Sequence, residues 1–222
     1  MSVSLGRGAI VSAIEATGVV AVVRLTDAGA FREVAAALVE GGVRAIEVTM
    51  TVPRAVALIE SLAASARNDV IVGAGTVLDA ETARQVILAG ARFVVGPVLR
   101  PEVIELGHRY DVAVMPGCFT PTEILTAWEL GADVVKVFPA TALGPGFFKD
   151  VRGPLPQIRL MPTGGVTRDN AGAWIAAGAV AIGVGTALVD PKAVSAGRLD
   201  LLSANARHFI DAVQVARAPQ TV

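Results

Sequence analysis

Lys136 and Glu47 are the residues of this 222-residue chain whose surroundings could make them chemically active. Lys136 lies in "GADVVKVFPA" (131–140), where Val134, Val135, Val137 and Phe138 form an apolar run between Gly131 and Pro139, the pattern of a strand buried on both faces. Glu47 lies in a similar run, "AIEVTM" (45–50). Successive strand side chains point to opposite faces, so Ile46, Val48 and Met50 share one face and Glu47 and Thr49 the other, while Val135 and Val137 oppose Lys136. A charge facing inward unpaired costs several kcal/mol, so each needs a partner or a changed protonation state.

Two readings of this pair are open. The first is structural: a Lys–Glu ion pair, or a lysine that snorkels to the rim. The second is covalent chemistry. A free lysine amine, with a pKa of about 10.4, is almost entirely ammonium at neutral pH; desolvation lowers that pKa and exposes an amine able to attack a carbonyl. Glu47 would then shuttle protons as general acid and base.

Two glycine-bearing stretches add a second kind of site, "PTGGV" (162–166) and "GVGTAL" (183–188). Their backbone N–H groups can approach an anion, and a helix N-terminus following such a loop would add a favourable dipole. Gly164, Gly165, Gly185 and the Thr186 hydroxyl are the candidate phosphate ligands; tight turns that need glycine for backbone reasons are the alternative. Cys118 has no histidine nearby and reads as a packing residue, Trp128 and Trp174 as core or interface residues, and His108 and His208 as helix-surface residues.

Eight short apolar runs position these groups, at 19–24, 45–50, 70–73, 93–95, 112–115, 134–138, 159–162 and 179–184, each followed by a segment of helical period. Asp27, "DAET" (79–82), read as a capping box, and "TPTE" (120–123), with proline near the start, give helix starts. Glycines in "EGG" (40–42), "LAG" (88–90), "LGA" (130–132) and "AAGA" (176–179) give stops. Eight βα units in this length predict an α/β fold, a single (β/α)8 TIM barrel over 1–222: an extra N-terminal helix at about 5–17 covering the bottom, the barrel at about 18–214, and a short tail. An open doubly wound sheet fits less well, because no G-x-G-x-x-G turn follows the first strand. In a barrel the polar residues near strand C-terminal ends converge, which brings together Arg24, Glu47, Thr49, Thr76 of "GAGT", Lys136 and the "PTGG" loop.

Composition narrows the partners. A net charge of −1 without a Lys/Arg cluster gives no field for nucleic acid or an anionic membrane surface. One cysteine and two distant histidines predict neither an internal disulfide nor a metal site. Arg7, Glu15 and Arg24 break the N-terminal apolar stretches, predicting neither signal peptide nor membrane span, and hence a cytoplasmic protein.

From about Gly18 to the last helix the chain resembles the class I 2-dehydro-3-deoxy-phosphogluconate (KDPG) aldolases, many of which also act as 4-hydroxy-2-oxoglutarate aldolases. The resemblance runs in order through "VVAVVR", "GGVRAIEVTMTVP", "IVGAGTV", "FVVGP", "MPGCFTPTE", "GADVVKVFPA", "LMPTGGV" and "GVGTALV". It implies a (β/α)8 barrel, usually trimeric, that cleaves a 2-keto-3-deoxy sugar acid phosphate to pyruvate and glyceraldehyde 3-phosphate without metal or other cofactor. Lys136 matches the Schiff-base lysine and Glu47 the acid/base glutamate; Thr76, Pro97 and Phe138 match the pyruvate pocket, Thr163 a residue near the aldehyde end, and the glycine loops the phosphate site. Some members carry an arginine where this chain has Thr51; here Arg24 is assigned the pyruvate carboxylate, which a guanidinium can bind bidentately. Gly96 and Thr186 stand where serine is common, so Gly96 removes a hydroxyl that Thr186 keeps. Gluconate and galactonate stereochemistry are not separated by these motifs. A non-covalent sugar-phosphate isomerase or decarboxylase barrel and a silent binding scaffold are the other classes.

Overall fold

The structure is a computed structural model that describes residues 6–25, 27–65 and 69–218. Its strands are β1 (Val19–Val23), β2 (Ala45–Thr49), β3 (Ile71–Gly75), β4 (Phe93–Val95), β5 (Ala113–Met115), β6 (Gly117–Cys118), β7 (Val135–Val137), β8 (Leu160–Pro162) and β9 (Ile182–Val184). The helices are α1 (Arg7–Thr17), α2 (Ala28–Glu40), α3 (Ala55–Ser65), α4 (Ala80–Leu88), α5 (Pro101–Arg109), α6 (Pro121–Glu129), α7 (Gly144–Arg152), α8 (Ala171–Ala176), α9 (Pro191–Ser195) and α10 (Leu199–Arg217). The predicted N-terminal helix is α1; position 5, where it was expected to begin, lies outside the described residues.

All strand pairings are parallel and close a ring. One sheet runs β5-β4-β3-β2-β1-β9 and the other β6-β7-β8; the bridge Thr163–Gly183 joins β8 to β9. The fifth stave runs on past the predicted end at 115: Pro116, which has no N–H to give a ladder, separates β5 from β6. In β5, Met115 O accepts from Gly96 N (3.1 Å), and Pro116 O accepts from Lys136 N (3.0 Å), so nine strands make eight staves.

Two apolar clusters explain the closure. Outward-facing Ile46, Val48, Val72, Val135 and Val137 pack under the helices, whereas Val20, Ala45, Ile71, Phe93, Met115 and Met161 fill the barrel interior. Ile10, Val11 and Ile14 of α1 belong to the inner cluster, so α1 plugs the bottom. It is tied there by Arg7 to Asp133 (3.2 Å) and by Glu15 to Arg159 (3.4 Å).

The predicted boundary chemistry holds in most places. Asp27 Oδ1 accepts from Ala30 N at 2.6 Å, and Thr120 with Glu123 forms a full capping box. "DAET" is corrected: Asp79 accepts from Thr82 N (2.6 Å), but a threonine at that place cannot supply the returning carboxylate. Past the helix ends, Gly42, Gly90, Gly131 and Gly178 take positive φ, as the predicted stops require.

Candidate active site

The interior changes character halfway up. Above the layer of Val20, Ala45, Ile71 and Phe93, the next inward residue of β2 is Glu47, of β7 Lys136, and beyond β8 Thr163. Glu47 is 2 % exposed, Lys136 5 % and Thr163 4 %. These values exclude the snorkelling reading, because a lysine whose ammonium reached solvent would leave its tip exposed. Nor do the two form a close ion pair: among the described residues none is recorded between them, although each acts on the other's titration.

Burial lowers the pKa of Lys136 from its ordinary value; Glu47 opposes that shift and the Arg24 guanidinium adds to it. Burial raises the pKa of Glu47, and the charges of Lys136 and Arg24 oppose it. Both shifts favour a neutral amine facing a carboxyl that can carry a proton, the combination that imine chemistry needs. The Lys136 Nζ sits 4.9 Å from the centroid of the Phe138 ring, which walls one side of the amine.

Glycine makes room for the glutamate. A Cβ on Gly75, at the end of β3, would overlap the Glu47 carboxylate, so no larger residue fits there with Glu47 in this pose. The next residue, Thr76, holds a left-handed backbone (φ 60°), an uncommon conformation for a threonine and one found at sites where geometry is over-determined. Gly183 plays the same part for Thr163, whose Oγ1 a Cβ would strike. That hydroxyl is buried without a hydrogen-bond partner, which marks it as a group with work to do.

At the barrel mouth a cavity of about 260 Å³ is lined by Arg24, Phe138, Thr163, Gly164, Gly165 and Thr186, among others. Gly164 (φ 86°) and Gly165 (φ 76°) require the left-handed region, and a Cβ on Gly165 would press on Thr141. The expected helix N-terminus is not at this loop. The next helix, α8, starts only at Ala171 and has six residues, so the cavity is walled by loop residues and not by a helix start. Gly185 lies in the wall, and Arg24 Nη1 stands 3.6 Å from where its Cβ would be.

Each sequence-predicted site residue is therefore accounted for, with two qualities of placement. Lys136, Glu47 and Thr163 are buried in the barrel interior, and Thr163 also lines the mouth cavity with the glycine loops, whereas Lys136 and Glu47 do not line it. Arg24 is exposed and rests beside Gly185, yet it lines the same cavity as Phe138 and Thr163 and its charge acts on both Lys136 and Glu47. Pro97 is half-buried; its backbone lies so close to Gly117 that a Cβ there would collide, and Gly117 is the register partner of Lys136. Thr51 is exposed, its hydroxyl 2.9 Å from that of Thr49. Gly75, Gly117 and Val22, another cavity residue, were missed by sequence reasoning; the "GAG" and "MPG" spacings were visible, but not what their missing side chains admit.

The remaining candidates fall into place. Cys118 is buried with its thiol pushed up to about 12 by burial and then by Glu123, an unreactive packing residue. Trp174 is core, edge-on to Phe148 at 5.0 Å. The surface reading is corrected for His108 and stands for His208. His108 packs at the barrel bottom with Nε2 3.9 Å from Asp133, and His208 is half-buried with Nε2 3.3 Å from the Arg168 carbonyl. Among the described residues no group of three His, Cys, Asp or Glu could hold a metal ion, and no helix is long and apolar enough to cross a membrane.

Residues 10–204 match the family model described as KDPG and KHG aldolase. The chain belongs to that family. It is 36% identical over 211 residues to the 2-dehydro-3-deoxy-phosphogluconate aldolase of Treponema pallidum, covering 93% of this chain and 98% of the relative. It is 35% identical over 153 residues to the 2-dehydro-3-deoxy-6-phosphogalactonate aldolase of Escherichia coli, covering 68% and 75%. A KDPG aldolase from Legionella pneumophila, solved with pyruvate captured as a covalent carbinolamine intermediate, superposes with a TM-score of 0.84 at 27% identity, over 90% of this chain and 97% of that one. The family is one of lyases, and its solved members share the barrel.

Proposed function

We propose that this chain is a Schiff-base aldolase that cleaves 2-dehydro-3-deoxy-6-phosphogluconate to pyruvate and glyceraldehyde 3-phosphate, and that it also accepts 4-hydroxy-2-oxoglutarate. One observation carries the reading: a buried lysine with a lowered pKa shares the barrel interior with a buried glutamate whose pKa is raised. The neutral Lys136 amine attacks the C2 ketone; Glu47 donates the proton with which water leaves, giving the iminium. That cation accepts the electron pair of the breaking C3–C4 bond, while Glu47, directly or through a water, takes the C4 hydroxyl proton as the aldehyde departs. The resulting enamine is protonated at C3, and hydrolysis returns pyruvate and the free amine.

The other residues orient the substrate. Arg24 holds the C1 carboxylate; Thr76, Pro97 and Phe138 enclose the pyruvate half; Thr163 lies at the aldehyde half. Gly164, Gly165, Gly185 and Thr186 receive the phosphate, whose distant binding energy fixes the reacting carbons. We further infer that the chain acts as one barrel domain, in a cytoplasmic homotrimer, on the strength of the family likeness; light scattering reads the assembly.

The test is pyruvate release, followed with a coupled lactate dehydrogenase, from the gluconate substrate, its galactonate C4 epimer and 4-hydroxy-2-oxoglutarate. Relatives at 36% and 35% identity are named for the gluconate and the galactonate, so both epimers belong in the panel. Turnover lost in Lys136→Ala and Lys136→Arg supports the reading; near-wild-type rates in those variants overturn it. Turnover without a trappable imine would instead favour non-covalent chemistry, and binding without turnover a scaffold.

A further inference from the structure

Asn170 immediately precedes α8, a position from which asparagine ordinarily caps a helix by accepting from its first free amides. Here its side chain makes no such bond. It reaches backward instead: Oδ1 accepts from Thr167 N at 2.8 Å, and Nδ2 donates to Gly165 O at 2.9 Å. The carboxamide thus closes the loop that carries both left-handed glycines.

The second bond fixes the Gly165–Val166 peptide. That peptide is trans, so with its carbonyl held toward Asn170 its N–H points the opposite way. Gly165 and Val166 both line the mouth cavity. Among the described residues the N–H of Val166 finds no acceptor, nor do those of Gly165, Thr186 and Ala187, which line the same cavity. Unpaired backbone N–H groups that line one cavity are the kind of group that binds an anion. We propose that Asn170 is a positioning residue for the phosphate end of the substrate: by pinning the Gly165 carbonyl it turns the Val166 N–H into the cavity as a preset donor. Asn170 touches no substrate itself, and its role rests on the aldolase reading above.

The test compares Asn170→Ala and Asn170→Asp with the wild type; the aspartate keeps the acceptor for Thr167 N–H and loses the donor to Gly165 O. Losing one oriented donor to a charged group should raise KM for the phosphorylated substrate by on the order of tenfold or more in both variants. The rate of borohydride-trapped pyruvate adduct formation, which needs no phosphate, should fall by less than about twofold. Equal losses in both readouts, or an unchanged KM, would overturn the proposal. A measurement on the wild type guards against variants that fold poorly: titration of ¹⁵N-labelled protein with inorganic phosphate should shift the Val166 amide and leave that of Thr167 nearly still. A still Val166 amide overturns the proposal even if every variant folds badly. Should the wild type neither trap pyruvate nor release it, the aldolase reading itself fails, a result distinct from a wild type that turns over and an Asn170 variant that matches it.

Discussion

Gly75→Ala isolates the contribution of Glu47's position. The alanine Cβ would overlap the Glu47 carboxylate, and ordinary contact requires at least about 3.4 Å, so the carboxylate must move by more than roughly 1 Å. Backbone strain does not confuse the result, since Gly75 is not among the positive-φ positions. Misplacement by about 1 Å can cost about 10²-fold, and deleting a general acid–base about 10²–10⁴-fold. Gly75→Ala should therefore lower kcat on the order of 10²-fold and approach the Glu47→Gln variant. The assay is steady-state pyruvate release, with melting temperature and pyruvate trapping as controls; Lys136, on a different strand, should still form some adduct. The double variant gives the sharper readout. If Gly75 acts only by seating Glu47, Gly75→Ala/Glu47→Gln will be no slower than Glu47→Gln alone. A Gly75→Ala enzyme within about threefold of wild type, or a double variant whose losses multiply, would refute the steric reasoning.

The rate of pyruvate trapping should rise with pH and level off at a midpoint below 10.5, because burial and the Arg24 charge hold Lys136 below that value. Arg24→Gln removes a lowering charge and should move the midpoint up; Glu47→Gln removes a raising one and should move it down, so a midpoint indifferent to both would contradict the assigned causes. Thr186→Glu places a negative charge on the cavity wall and should raise KM for phosphorylated substrates far more than for 4-hydroxy-2-oxoglutarate; equal losses would remove Thr186 from the phosphate end. Ile14→Ala empties part of the barrel-bottom plug and should cost about 2–5 kcal/mol in chemical denaturation, with KM little changed; a cost under about 1 kcal/mol would mean that α1 does not seal the core.

The staves were legible in the sequence because strands buried on both faces are short apolar runs, and because Lys136 and Glu47 break them at positions whose parity shows which way they face. The split at Pro116 was not legible, since "VAVMPGC" reads equally as one strand ending at Met115. The candidate Lys136–Glu47 pair and the glycine loops could be named from residue type and pattern. What could not be read is how space is shared. Gly75 looks like any strand glycine until its partner is known to be a carboxylate from the neighbouring strand, and Asn170 looks like a helix cap until its side chain is seen bonded to Gly165. His108 was misread for a related reason: the helical period gives its face, but not that Asp133 and Gly131 close over it.

The most direct test of the central claim is to incubate the protein with pyruvate, reduce with borohydride and map the adduct by mass spectrometry. A single reduced adduct on Lys136, absent in Lys136→Arg, is the predicted result. A folded protein that yields no adduct, or one carrying it on any of its other lysines, would contradict the assignment of Lys136 as the imine-forming amine.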